Sequence, residues 1–537
     1  MKKFYFYSLL ICLVFSFPEN TIANLITANP ENYKSFLSSL VAGDTLYLTA
    51  GTYTGNLKVV DRNGTETQPI VIIGNSDLYT TVFEAQSGSN TISITKSSFL
   101  VIKNLQLDGK DISVDAVKAE GTAGNWAHHI TLEYMNIINY GNNQQIVGIS
   151  TKCPAWNWII RKNKIIGAGT GMYLGNSDGG KPFVNGIIEN NYIANTIGYN
   201  IEIKHQLDSV RDDCEGTAVN GKTIIRHNVF SKESNGSSGS MARPNLLVGG
   251  FPLKGWGAND YYEIYGNFFW QNPNEALFQG TGNICLYNNI FVNRFDSEGF
   301  RAVYISSQNG VQPQNIKIFH NTLWVNNSSG GIRLYNANTK YLQYCNANAV
   351  FAASPITNFD NMDDNITDTY GNASIYVNSP TEDINTLNLY PKAGQLIGTQ
   401  SSSDIFQTLN WWNKDFNGDS CTWVYRGAYS GSGVNKGWKL QLDTMPSPKV
   451  GVTSVLNDRE ELSISVYPNP FSEKINVRSV ELGKSQLVII DFLGEEIYKA
   501  EITSTQTEID LSALNKGIYF VVIISKTNTY TAKIVKL

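Results

Sequence analysis

One short pattern returns along most of this chain, and it limits the possible folds more than any other feature. It reads apolar, any residue, apolar, two of any type, a fixed position, any residue, apolar. It runs as Leu100-x-Ile102-xx-Leu105-x-Leu107 and then as Ile130-x-Leu132-xx-Met135-x-Ile137. From the third copy the fixed position is asparagine: Asn163, Asn191, Asn228, Asn267, Asn289, Asn321 and Asn348. Counted from Met135, successive fixed positions are 28, 28, 37, 39, 22, 32 and 27 residues apart. A minimum near 22 with irregular additions fits one coil of a parallel β-helix plus loops of varying length. A helical solenoid would need a 3.6-residue period inside each unit, whereas these segments alternate with period two.

The asparagine has a physical reason. Each coil turns tightly between strands, and asparagine tolerates the left-handed backbone region that such turns use. Its amide both donates and accepts, and coils stack about 4.8 Å apart, so equivalent asparagines can bond from coil to coil. The seven are expected to form one structural column. Between them lies a second strand set: Val147–Ser150, Gly171–Leu174, Asn200–Lys204, Leu246–Val248, Glu275–Gln279, Val303–Ser306 and Gly331–Leu334. Each alternates apolar with polar, one face filling the coil and the other facing out. The fold expected is all-β, a right-handed parallel β-helix with a small C-terminal antiparallel sandwich.

Both ends of the coil stack need covering, because an open sheet edge invites pairing. Residues 30–40 place Tyr33, Phe36, Leu37 and Leu40 at helical spacing after Asn29 as N-cap and Pro30 at the first helical position, so a capping helix is expected there. Beyond Asn348 the pattern loosens into a stretch holding Trp411-Trp412, Asp415-Phe416-Asn417-Gly418 and Arg426-Gly427-Ala428-Tyr429, expected to close the other opening.

At the N-terminus Lys2 and Lys3 precede an apolar run from Phe4 to Phe17, too short for comfortable membrane spanning and followed by small residues, as a cleaved signal peptide requires. The remaining cysteines, Cys153, Cys214, Cys285, Cys345 and Cys421, are odd in number and widely spaced, which suggests neither a disulfide framework nor a zinc site. A net charge of −5, with only 16% charged residues, gives no basic surface for nucleic acid. Four segments are expected: a signal peptide over 1–23, the β-helix with its caps over 24–440, a linker over 441–461 and a sorting domain over 462–537.

Two resemblances sharpen this reading. The opening Gly43-Asp44-Thr45-Leu46-Tyr47-Leu48-x-x-Gly51-Thr52-Tyr53, followed by the run Thr65 to Gly74, resembles the start of pectate-lyase-like β-helix proteins, in particular the chondroitinase B and alginate lyase branch. Near the C-terminus, Val466–Phe471 (VYPNPF), the stretch DFLGEEIYKAEI, Leu514-Asn515-Lys516-Gly517-Ile518-Tyr519 and the basic end Lys533–Lys536 resemble the type A sorting domain of type IX secretion. The resemblances imply export to the surface or medium through the periplasm. They imply partnership with the type IX machinery and action on a polysaccharide, an acidic glycan above all. A monomer is expected.

Cleaving a uronate by β-elimination needs a base for the proton beside the carboxylate, a cation to neutralise that carboxylate, and an acid for the leaving oxygen. Suitable groups concentrate in the middle coils. Lys204 loosely resembles the lysine base of chondroitinase-B-like lyases and Arg243 their arginine, although the flanking motifs and the acidic calcium ligands of that family are missing. His205 and Arg226 are further catalytic candidates, and Glu202, His227, Tyr173, Gln279 and Arg333 are candidates for substrate binding. Arg243 is expected at the start of its strand and Lys204 near the end of the neighbouring one. For Lys204 to act as base its pKa must fall, which Arg and His neighbours favour and Glu202 opposes.

Other readings stay open. A non-catalytic β-helix could bind glycan or attach to a surface. Asn176-Ser177-Asp178-Gly179 and Asp212-Asp213-Cys214 echo polygalacturonase aspartates and suggest a glycoside hydrolase, without that family's partner motifs. His128 and His129, adjacent in a strand, should point to opposite faces and so are poor candidates for a shared metal. No cofactor is implied beyond calcium, for which the acidic stretch 360–368 offers ligands.

Overall fold

The computed structural model describes residues 23–446, apart from 235, 237–238, 297–299 and 400–405. It also describes residues 464–536, apart from 480–484, 491–495, 503, 505 and 525–528. The expected signal peptide, up to residue 22, and most of the expected linker lie outside the described residues, as does the start of the DFLGEEIYKAEI stretch. The chain divides into two compact units, Met1–Pro448 and Lys449–Leu537.

In the first unit three long parallel sheets of 14, 11 and 12 strands run side by side among the described residues. Each coil adds one strand to every sheet, which makes the unit a parallel β-helix. Isoleucine, leucine, valine and phenylalanine fill its interior. In the 11-stranded sheet Ile149, Met172, Ile201, Ile203, Leu246, Val248, Phe278, Val303, Ile305 and Ile332 are all fully buried in one continuous core. The residues between them point outward, as period-two alternation requires.

The asparagine column is present from Asn163 to Asn348. Asn191 Oδ1 accepts from Asn163 N at 3.0 Å and from Asn163 Nδ2 at 2.9 Å, and the same pair of bonds repeats at every following step. Met135 N donates to Asn163 at the start, and Asn365 adds a further rung beyond Asn348. The expected backbone reason was misplaced by one residue. The left-handed φ belongs to the residue before each rung: Lys162, Asn190, His227, Gly266, Asn288, His320 and Ala347. The rung asparagine is there for its amide, which serves backbone and neighbour at once in a site shut off from water.

The capping helix is shorter than expected, spanning Tyr33–Leu37. Asn29 makes the bonds of an N-cap: its Oδ1 accepts from the N–H groups of Glu31 and Asn32 and its carbonyl from Tyr33 N, although the regular helix starts only at Tyr33. The apolar face is as expected, with Tyr33 edge-on to Tyr53 and Phe83 at 5.2 and 5.6 Å.

The C-terminal stretch departs from the expectation. The last coil is covered by residues 358–368, with Phe359 in the core and Asn365 as the last rung. From Tyr370 the chain runs back along the outside. Leu389, Phe416, Tyr429, Leu440 and Met445 bury Phe268, Trp270, Ile290, Val292, Trp324 and Phe351 on the outer face of the 12-stranded sheet. Phe406, Leu409 and Trp423 cover Tyr265, Tyr287 and Phe319 on the 14-stranded one. The strands beneath explain why. Phe268-Phe269-Trp270 and Ile290-Phe291-Val292 do not alternate, so both of their faces must be buried. Residues expected to open the linker belong to this wrap, since Asn190 Nδ2 donates to Met445 O at 2.9 Å and Lys164 pairs with Asp443 at 2.8 Å.

The second unit holds antiparallel sheets of three and four strands, whose facing sides share a core of Ile475, Val477, Leu487, Ile489, Ile509, Val521, Ile523 and Ile534. The five cysteines are free, four of them buried.

Candidate functional site

The 11-stranded sheet is the long face the wrap leaves uncovered, and strand pairing puts its outward residues in register. Ser150 pairs with Tyr173, Tyr173 with Glu202, Glu202 with Leu247, Leu247 with Gln279, Gln279 with Tyr304, and Tyr304 with Arg333. Tyr173, Glu202, Gln279 and Arg333 therefore share one outward column. Lys152 and Lys204 each lie two residues further along, on the same face and flanking the Tyr173 coil.

These groups converge on Tyr173. Lys204 Nζ is 2.8 Å from Glu202 Oε1 and 5.5 Å from the centre of the Tyr173 ring. Lys152 Nζ lies 3.4 Å from the same ring centre on its own side. Ser150 donates to Asp115 at 3.1 Å, and Asp115 pairs with Lys118 at 3.0 Å, which continues the polar row. Arg243 stands before the strand Leu246–Val248, as expected, with its guanidinium 5.7 Å from the Tyr199 ring.

The two lysines are tuned in opposite directions. Burial works against the Lys204 ammonium, but the Glu202 charge and hydrogen bond, helped by Tyr173, outweigh it and raise its pKa. Lys204 is thus a fixed cation, and Glu202 wins the contest posed by the sequence. At Lys152 burial dominates and pulls the ammonium down to about 8, with Asp115 and Glu202 opposing and Lys118 and Lys204 reinforcing the fall. Sequence reasoning missed Lys152. The signal available was its spacing, two residues beyond Ser150 on an outward face. The Tyr173 phenol is raised by burial and by Glu202, so it stays protonated near neutral pH.

Other expected site residues lie elsewhere. Arg226 is on the 14-stranded sheet, where it grips Glu189 at 2.6 Å and Tyr265 at 3.0 Å. His227 is a fully buried turn residue packed on Tyr265 and Trp411, and burial lowers its pKa to about 3. Both stand just before the rung Asn228, in the segment that leads into the asparagine turn, and so not on the strand set that holds Lys204. His205 follows Lys204 but turns toward the loop of Asp178 and Gly179, with its pKa lowered by burial and by Lys204. Gln279 donates to Glu275 at 2.9 Å. Asp178 closes its own loop on Gly180 N, and Asp213 faces Lys181 at 3.8 Å.

Two further placements bear on metals. His128 and His129 do not oppose one another across a strand. A left-handed φ of 52° at His129 turns it back, so the two Nδ1 atoms sit 2.7 Å apart. In the acidic stretch Asp360 accepts from Gln343 N, Asp364 pairs with Arg426, and Asp368 binds Thr369, Asn372 and Tyr376. Among the described residues no three His, Cys, Asp or Glu side chains converge as a metal site.

Removing the Glu202 charge tests this electrostatic balance. Because Glu202 holds Lys152 up, Glu202→Gln is expected to move the Lys152 titration to lower pH, read from the pH dependence of its chemical modification. An unchanged or upward shift would contradict the arrangement.

No curated protein matches the chain. Among solved structures, a PL6-family alginate lyase, AlyGC in a variant form, aligns with 15% identity and a TM-score of 0.45 over 84% of this chain, which spans 60% of that enzyme's length. The pectate lyase Pel9A aligns with 13% identity and a TM-score of 0.38, over 72% of this chain and 94% of its own. A PL6-family polysaccharide lyase from Pseudopedobacter saltans aligns with 11% identity and a TM-score of 0.37, over 64% and 93%. Residues 465–537 match the secretion system C-terminal sorting domain. The second unit is therefore a sorting domain that directs export by type IX secretion to the cell surface or extracellular space.

Proposed function

We propose that the β-helix unit is a polysaccharide lyase that cleaves a uronate-containing chain by β-elimination along its 11-stranded face. The observation that carries this reading is Lys152, a half-buried lysine drawn down to about 8, set against the ring of a protonated tyrosine beside a lysine that stays charged. Base, acid and counter-charge thus occupy three neighbouring coils. Lys152 Nζ takes the proton beside the carboxylate, whose charge Lys204 and Arg243 balance. The released electron pair forms the carbon–carbon double bond, the bond to the glycosidic oxygen breaks, and the Tyr173 hydroxyl supplies that oxygen with a proton. Solvent then takes the proton from Lys152 and returns one to Tyr173, while Lys204 stays charged throughout.

The test is direct. Purified full-length protein is incubated with alginate, polygalacturonate and chondroitin sulfate, and the unsaturated product is followed by its ultraviolet absorbance. Growth of that absorbance with one of them supports the reading. Binding without it would mark the protein as a glycan-binding β-helix instead.

Export has its own check. Deleting residues 465–537 is expected to leave the β-helix folded and held in the periplasm. Wild-type amounts of the truncated chain in the medium would contradict the sorting role.

A further inference from the structure

Beyond the Tyr173 cluster the outward column runs on through Leu247, Gln279 and Tyr304 to Arg333. Five strand steps of about 4.8 Å put Arg333 about 24 Å along the axis from Tyr173. There a second set of groups gathers. Arg301 enters just before the strand Val303–Ser306 and lies against the backbone of the next coil at Gly330. Gly330 has φ +108°, and a β-carbon there would meet both Arg301 Nη1 and the Ser354 carbonyl oxygen, so glycine lets the guanidinium and the next coil approach this closely. That Nη1 is shut off from water and has no hydrogen-bond partner among the described residues. Arg333 lies over the ring of Tyr335 at 5.1 Å, and that ring is half exposed.

Arg301 and Arg333 work against one another. Burial and the like charge of Arg333 both disfavour the Arg301 guanidinium, with only Tyr304 offsetting them. Neither arginine forms an ion pair among the described residues, whereas Arg161, Arg211, Arg226, Arg294 and Arg426 all do. Two unneutralised guanidiniums on one face are a fit for a carboxylate, which arginine binds in a bidentate fork. The neighbouring Tyr304 and Tyr335 give a sugar ring apolar surface with a hydroxyl at its edge.

We infer that Arg301 and Arg333, with Tyr304 and Tyr335, form a distal subsite for a carboxylate of an acidic glycan chain whose reacting unit sits at Tyr173. The inference rests on the proposed function for the position of the reacting unit. The subsite would make the protein favour long chains over short ones, since only a long chain reaches both places.

The experiment compares the full-length protein with an Arg301→Gln/Arg333→Gln variant whose fold is checked by circular dichroism. Binding of alginate and polygalacturonate trimers and dodecamers, and of a neutral glucan dodecamer, is measured by calorimetry. Affinity for one of the acidic dodecamers is expected to fall about ten-fold or more, with trimer binding unchanged and Arg333→Lys restoring only part of it. Where turnover occurs, KM rises and kcat holds. Equal loss for trimers and dodecamers, or no loss for either acidic dodecamer, overturns the subsite, as does a native protein that binds neither. If no polymer is cleaved but the length-dependent loss is seen, the subsite stands and the lyase reading falls.

Discussion

Lys152→Ala is expected to lower kcat on the cleaved uronate polymer by about 10²- to 10⁴-fold, the range a positioned general base supplies. The side chain faces outward beside Tyr173 and contributes little to the core, so the thermal midpoint should stay close to that of the native protein. The pH profile carries the sharper signature. A lysine acts as base only when neutral, so kcat/KM should climb as pH rises through about 8, the value to which burial brings Lys152. That limb should vanish in Lys152→Ala. Lys204→Ala should also impair turnover, by removing a fixed positive charge rather than a base, and should keep the limb but move it to higher pH, because Lys204 helps to lower Lys152. If Lys152→Ala keeps most of the activity while Lys204→Ala abolishes both rate and limb, the assignment of the two lysines is reversed.

The second large effect lies in the asparagine column. Asn228 Nδ2 donates to Ile188 O at 2.8 Å, Arg226 O at 3.0 Å and Asn267 Oδ1 at 3.0 Å, while its Oδ1 accepts from Asn191 N and Nδ2. Asn228→Ala leaves the Asn191 backbone N–H and several acceptors unpaired in a fully buried site. An orphaned buried group costs about 1–3 kcal/mol, so the loss should total about 3–5 kcal/mol after partial relaxation. Asn365→Ala, at the last and half-exposed rung, should cost about 1 kcal/mol. Because stacked coils need not unfold together, the comparison is best made on thermal midpoints and on the protease sites that open first. Equal, small effects at both positions would show that the column is not what locks the coils together.

The sequence by itself determined the coil. Period-two alternation, the recurring asparagine and the minimum spacing near 22 residues fix a stack of parallel strands, because each is a local consequence of pleat geometry and turn chemistry. The outward placement of Tyr173, Glu202, Lys204, Gln279 and Arg333 followed from the same alternation, as did the antiparallel sorting domain from its motifs.

What only the tertiary structure decided is which surface each coil shares with distant chain. The run of Tyr265, Tyr287 and Phe319, and that of Phe268, Trp270 and Val292, are covered by residues from far along the chain, and no local pattern names the partner. Lysine pKa values are of the same kind. Lys152 and Lys204 look alike in sequence, yet one is bound by Glu202 and the other is mainly desolvated, so the two move in opposite directions. Alternation is written into each strand, whereas burial and charge pairing depend on neighbours that only folding brings within reach.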